Sequence, residues 1–104
     1  MTDAAARVDD ELVTAPLRAG DCAHLHAAPR VVTARTPDGC EECIRDGTAW
    51  VHLRLCLACG HVGCCDSSVG RHATGHFHET DHPVMRSIEP GEAWRWCFVD
   101  ELLG

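Results

Sequence analysis

The sequence predicts one small α+β domain, a set of short strands with one main helix, tied together by more than its apolar core. Three observations carry this. The chain has 104 residues, enough for one domain and a modest core. Its aromatic complement is thin, with Trp50, Phe77, Trp94, Trp96 and Phe98 and no tyrosine, yet it carries eight cysteines and eight histidines. Apolar residues alternate in several short runs, and only one stretch reads as a helix of any length. Domains with so little apolar volume usually fold around disulfides or metal ions.

Residues 1–21 read as a flexible or loosely docked arm, and residues 22–104 as the folded domain. Val8, Leu12, Val13 and Leu17 offer the arm one weak apolar stripe, while Pro16 limits any helix there. After Cys22-Ala23-His24 and Pro29 comes a possible short strand, Val31 to Ala34, then a turn at Pro37-Asp38-Gly39 that leads into Cys40-Glu41-Glu42-Cys43. Asp46-Gly47 is a second turn signal. Trp50 to Leu57 reads as a strand with Val51, Leu53, Leu55 and Leu57 on one face and Trp50, His52, Arg54 and Cys56 on the other. Cys59-Gly60 closes it. Asp66, Ser67 or Ser68 supplies the cap of a helix running to about His78, with His72 and His76 on one face. Val84 to Ile88 is a strand, Glu89-Pro90-Gly91-Glu92 a turn, and Ala93 to Val99 a last strand with Trp94, Trp96 and Phe98 on one side. These three aromatics either close the core against the helix or line an open cleft with Arg54.

Charge and leader signals narrow the possibilities. The formal net charge is −7, and the nine basic residues are all arginine. Nucleic-acid binders carry a basic stripe that displaces counterions; none is visible here, so no nucleic-acid partner is expected. The first twenty residues lack the basic and apolar regions of a signal peptide. No apolar run approaches the roughly 18 residues that span a membrane. A cytoplasmic protein without membrane contact is expected, in which thiols stay reduced and Cys-x2-Cys spacing points to metal or redox chemistry. A disulfide scaffold is the alternative.

Zn²⁺ asks for four N, S or O donors in a tetrahedron, and a tight Cys-x2-Cys turn brings two sulfurs to one side. The motif occurs twice, at Cys40/Cys43 and Cys56/Cys59. Each pair needs two further ligands, and Cys64, His72, His76 and His82 are available to supply them. Among the remaining histidines, His52, His61 and His78 read as polar surface side chains. Glu79 and Asp81 read as solvated charges.

Read together, Cys22-x-His24, Cys40-x2-Cys43, Cys56-x2-Cys59-x4-Cys64 and His72-x3-His76-x5-His82 resemble the UBP-type zinc finger. The stretches Cys56 to Cys64 and Arg71 to Pro83 are especially similar to it, and the resemblance covers about residues 22–100. It implies an antiparallel sheet with one main helix, stabilised by up to three interleaved zinc ions. One site would be Cys40, Cys43, Cys64 and His72; a second Cys56, Cys59, His76 and His82. The family's third site joins an early Cys-x-His to a late Cys-x2-Cys. Here the late pair reads Cys97-Phe98-Val99-Asp100, so the expected third site is Cys22, His24, Cys97 and Asp100, with carboxylate in place of thiolate. Cys64 sits eight residues before His72 where the family has seven, and Cys65 sits at seven. Cys64 is taken as the ligand, the extra residue as a bulge, and Cys65 as a buried small side chain or a reactive thiol.

In function, the resemblance implies a binding module rather than an enzyme. Sites with four protein ligands have no open position for a water nucleophile, and no catalytic domain accompanies a chain ending at Gly104. That end and the arginine-only basic set fit a stand-alone bacterial member. Family members capture the free Gly-Gly terminus of ubiquitin between aromatic walls, its carboxylate held by arginine and backbone N–H groups. Where binding members carry Gly-Arg-Tyr, this sequence has Cys65-Asp66-Ser67-Ser68, and the family's tryptophan falls near Arg54, with Trp50 displaced upstream. Trp96 and Phe98 match. The expectation is a protein-interaction module with a degenerate tail pocket around Arg54, Trp50, Trp96 and Phe98, for which ubiquitin is a doubtful partner. A thiol-based redox or zinc-responsive module is the alternative.

Overall fold

Five short antiparallel strands and three α-helices organise residues 19–104, the part of the chain that the computed structural model describes. The arm expected over residues 1–21 lies almost wholly outside the described residues. A 3-10 turn, Ala19–Asp21, leads to α1 (Ala23–Ala27), then α2 (Glu41–Asp46), β1 (Leu53–Cys56), β2 (Val62–Cys64), α3 (His72–Thr80), β3 (Val84–Ser87), β4 (Arg95–Cys97) and β5 (Leu102–Leu103). The sheet runs β2-β1-β3-β4-β5. Its register sets Leu53 opposite Cys64, Cys56 opposite Met85, Val84 opposite Cys97 and Trp96 opposite Leu103. Among the described residues no helix is long and apolar enough to cross a membrane.

The alternation read for the first strand holds in part. Leu53, Leu55 and Leu57 are buried and join Leu25, Val62 and Val84 in the core, whereas Val51 is exposed and Cys56 of the opposite face is buried. Cys22, Cys40, Cys43, Cys64 and Cys97 belong to that same cluster, and all eight cysteines are free thiols. A core so rich in small sulfur side chains contributes little transfer free energy of its own.

Two helices were not expected from the sequence, and both begin at a cysteine that acts as its own cap. Cys22 Sγ accepts the Leu25 N–H and Cys40 Sγ the Cys43 N–H, each at 3.4 Å. Cysteine is not among the favoured capping residues, so the signal was not readable as a helix start. α2 stops at Gly47, whose φ of 73° supplies the left-handed cap.

The main helix starts later than the capping residues suggested. Ser68 Oγ accepts the Val51 N–H at 2.8 Å, and Asp66 accepts the Thr74 hydroxyl at 2.7 Å. Arg71, in the left-handed region at φ 46°, occupies the cap position without a side-chain bond. The first helical N–H, from His72, goes to Cys64 Sγ at 3.3 Å. The helix lies directly on β2: a Cβ on Gly63 would fall 2.6 Å from the Ala73 nitrogen.

The strand expected over Val31–Ala34 does not form; the segment runs beside the Cys59 turn, held by the Arg35 N–H to Gly60 carbonyl bond at 2.9 Å. Trp50–His52 also stay outside the ladder. At the other end the chain turns sharply, the Glu101 N–H reaching the Cys97 carbonyl at 2.8 Å, and returns as β5. That short strand was not anticipated.

Candidate metal centres and an adjoining cleft

Each of the three expected quartets comes together in space. Cys40, Cys43, Cys64 and His72 form one cluster, Cys56, Cys59, His76 and His82 a second, and Cys22, His24, Cys97 and Asp100 a third, with one donor atom from each residue within 4.8 Å of the others. The spacings in the first are uniform. His72 Nδ1 lies 3.3, 3.5 and 3.4 Å from the sulfurs of Cys40, Cys43 and Cys64, and the Cys43 and Cys64 sulfurs are 3.9 Å apart. A tetrahedral zinc with ordinary bond lengths sets S···N edges at about 3.5 Å and S···S edges at about 3.8 Å. In the second cluster Cys56 Sγ is 3.5 Å from His82 Nδ1 and Cys59 Sγ 3.4 Å from His76 Nε2. Three Cys/His-rich clusters in this fold can hold zinc ions.

The third cluster is less regular. Asp100 Oδ2 lies 2.9 Å from Cys22 Sγ, 3.2 Å from His24 Nδ1 and 4.0 Å from Cys97 Sγ. Its two sulfurs are fully buried, but the His24 and Asp100 side chains are 38% and 20% exposed. Contacts with Cys22 and His24 hold the Asp100 carboxyl below its ordinary range.

Backbone geometry prepares the sulfurs for a cation. One cysteine at each turn accepts a nearby N–H: Ala58 to Cys56, His72 to Cys64 and Asp100 to Cys97, besides the two helix caps. Such donors favour thiolate, but burial opposes it. Burial, with the neighbouring Cys43 and Cys64 thiols, pushes Cys40 up to about 12, and burial raises Cys56. A divalent cation reverses that balance, which is the usual coupling of metal binding to proton release.

Burial first, then the charges of His61 and His82, push the His76 imidazole down to about 4. The free side chain titrates near 6.5, so His76 contributes stability above that value that is lost as pH falls toward 4. Acidification from pH 7.5 to 4 is therefore expected to release zinc and alter tryptophan emission in one downward transition below about pH 6.5. A chelating dye and fluorescence, read together, check it; zinc retained in full at pH 4 would contradict the linkage.

Sequence reasoning misjudged His61. It is 3% exposed rather than a surface side chain. Its ring stacks on His76 with centroids 4.0 Å apart and planes 5° from parallel, and its Nε2 lies 2.7 Å from Glu42 on α2. Burial pushes the Glu42 carboxyl up, but the bond to His61 outweighs it and holds it low. The available signal was position: His61 sits between Cys59 and Cys64, and Glu42 between Cys40 and Cys43, where a free side chain has a metal cluster as its neighbour.

Cys64 joins the first cluster, and Cys65 does not. Strand alternation turns Cys65 to the other face, where its N–H donates to the His52 carbonyl at 2.9 Å and its sulfur lies 3.6 Å from Ser68 Oγ. Burial pushes this thiol up, but Ser68, the Ser67 N–H and His52 bring it down to about 7.

Cys65 also lines an open cleft of about 390 Å³ with His52, Arg54, Asp66, Trp94, Trp96 and Phe98. The late aromatics divide between the two roles foreseen for them. Phe98 takes both, stacking on Phe77 of α3 at 4.8 Å at the edge of the cleft, whereas Trp94 and Trp96 only wall the cleft. The Arg54 guanidinium sits 4.5 Å over the Trp94 ring, donates to Ser87 Oγ at 3.2 Å and lies 3.9 Å from Glu92. Trp50 is set apart from this cleft: its ring lies over Gly39, where an added Cβ would be 2.8 Å away. The strand begins only at Leu53, so Trp50 never enters the sheet.

The sequence model of a family described as "Zn-finger in ubiquitin-hydrolases and other protein" matches residues 40–102. It leaves out Cys22 and His24, which the fold nevertheless brings to Cys97 and Asp100. The BRCA1-associated proteins of Mus musculus and Homo sapiens are each 39% identical over 65 residues, 61% of this chain and 11% of theirs. Ubiquitin carboxyl-terminal hydrolase 44 of Ailuropoda melanoleuca is 33% identical over 60 residues, 58% of this chain and 8% of that one. The matches to these curated relatives thus span about a tenth of their length. Among solved structures, the solution NMR structure of protein RPA1320 from Rhodopseudomonas palustris is 52% identical, with a TM-score of 0.71 over 79% of this chain and 78% of that one.

Proposed function

Because the chain belongs to the zinc-finger family of ubiquitin hydrolases and other proteins, we propose that it is a protein-interaction module whose cleft beside Trp96 receives a partner segment. The three quartets named above are its proposed zinc ligands, with zinc in a structural role. Each quartet supplies four protein donors, the number a closed structural site uses. The activities in the relatives' names belong to proteins about ten times longer than the shared segment.

The observation that carries the reading is the cleft itself. It is open, walled by Trp94 and Trp96, and it lies between an engaged arginine and an acid. Arg54 already serves Ser87, Trp94 and Glu92, and Asp66 repels a terminal carboxylate. The cleft therefore suits an aromatic-compatible segment whose carboxylate is not the anchor, and the tail pocket of the family is degenerate here. Panning the zinc-loaded protein against peptides with free or amidated C-termini is expected to show no preference for the free carboxylate. Binding should fall at least tenfold in Trp96→Ala and stay unchanged in Trp50→Ala. Titration with ubiquitin should give no affinity tighter than about 1 mM. A micromolar affinity that disappears when its last two glycines are removed would overturn the degenerate-pocket reading.

The low titration of Cys65 in the cleft wall favours one second reading, a thiol-based or zinc-responsive module. Mild peroxide that modifies Cys65 and ejects zinc would support it. Zinc loss unchanged in Cys65→Ser would count against it.

A further inference from the structure

The face away from the aromatic cleft carries a second recess. An apolar groove of about 410 Å³ runs between Ala23, Ala27 and Pro29 on one side and Leu57, Ala58 and Val84 on the other. Leu57 also borders a cleft of about 420 Å³ lined by Arg30, Arg86 and Arg95. The other described arginines that form ion pairs meet carboxylates elsewhere: Arg35 with Glu41, Arg45 with Asp46 and Arg54 with Glu92. Around the groove, Arg86 donates to the Ser87 carbonyl and Arg95 to the Leu25 carbonyl. Among the described residues no Asp or Glu side chain lies within ion-pair distance of Arg30, Arg86 or Arg95, and Arg95 Nε also donates to a Gly104 main-chain oxygen at 3.4 Å. A cationic rim beside an apolar trough is notable in a chain of net charge −7.

We propose that residues 8–17 of this same chain occupy the groove. The segment reads Val-Asp-Asp-Glu-Leu-Val-Thr-Ala-Pro-Leu, three consecutive acids followed by apolar side chains, the complement of an arginine rim next to an apolar trough. The described chain begins at Ala19, immediately before α1, whose Ala23 and Ala27 form one wall. Gly20 itself lines a recess with Arg30 and Arg95. An extended chain advances about 3.3–3.6 Å per residue, so the nine residues from Ala19 back to Asp10 reach roughly 30 Å, ample to pass the rim and return along the groove. Leu12 and Val13 fill the trough beside Leu57, and Asp9, Asp10 and Glu11 meet Arg30, Arg86 and Arg95.

The full-length, zinc-loaded chain, isotope-labelled, tests this by NMR. Nuclear Overhauser contacts between the Leu12 or Val13 methyls and those of Leu57 or Val84 are expected, at intensities independent of protein concentration. Neutralising the acids (Asp9→Asn, Asp10→Asn, Glu11→Gln) should weaken those contacts at least twofold, as should 1 M salt, where screening acts within about 3 Å. Arg86→Gln gives the same test from the other side, and unmoved Trp96 signals report an intact fold. Residues 8–17 relaxing as free chain with no such contacts would overturn the proposal. Contacts that appear only between differently labelled copies would overturn it in favour of a second molecule in the groove.

Discussion

Cys64→Ala is expected to bind two zinc ions instead of three and to lose its cooperative fold, while Cys65→Ala keeps all three. The two residues are neighbours, but only Cys64 lies with Cys40, Cys43 and His72. A structural zinc contributes about 10–16 kcal/mol in small finger peptides, against a total stability of about 5–15 kcal/mol for ordinary domains. Losing the ion of the most buried cluster therefore removes an amount comparable to the whole net stability. Cys65→Ala deletes one small buried side chain, at a cost of about 1 kcal/mol. Native mass spectrometry gives the ion count, and denaturant unfolding followed by tryptophan emission gives the stability. Three ions in Cys64→Ala, or two in Cys65→Ala, would reassign the ligand.

The Asp100 cluster should respond differently. Asp100→Ala is expected to lower the ion count by one and leave the other two clusters loaded, whereas Asp100→Cys restores three ions and holds the third more tightly. Thiolate binds zinc in a softer, more covalent contact than carboxylate, and Asp100 sits off the regular tetrahedral spacing, with the half-exposed His24 beside it. A timed chelator titration of the parent chain should accordingly remove one ion at least tenfold faster than the other two, and Asp100→Cys should abolish that fast phase. Near-ultraviolet dichroism would report the local change, since Cys97 adjoins Trp96 in β4. Three equal release rates in the parent chain would show the carboxylate to be no weaker than its neighbours.

Much of the fold was legible because metal-ligand spacing is a local property. Cys40/Cys43, Cys56/Cys59 and His72/His76 each fix a turn or helix face by themselves, and β1 and β3 follow from simple alternation. The parts that were not legible depend on sulfur acting as a hydrogen-bond acceptor. α1 and α2 begin on Cys22 and Cys40, and α3 begins where Cys64 receives the His72 N–H. No capping preference anticipates that. The shortfall at the cleft is different: Arg54 and Trp96 were foreseen there, but the location of Trp50 depends on where the β1 ladder starts. Burial of His61 depends on α2 and the Cys59 turn meeting in three dimensions, which no single stretch of sequence encodes.

The His61 stack also bears on how the domain acquires metal. Its ring leans on His76 of one cluster while its nitrogen engages Glu42, between Cys40 and Cys43 of the next. An ion that fixes His76 thereby orients His61 and α2, and an ion in the Cys40 cluster does the converse. By linkage each occupancy raises the affinity of the other by the same factor. These two clusters therefore load with positive coupling, each ion tightening the other's site without being required for it, while the Asp100 cluster follows its own isotherm.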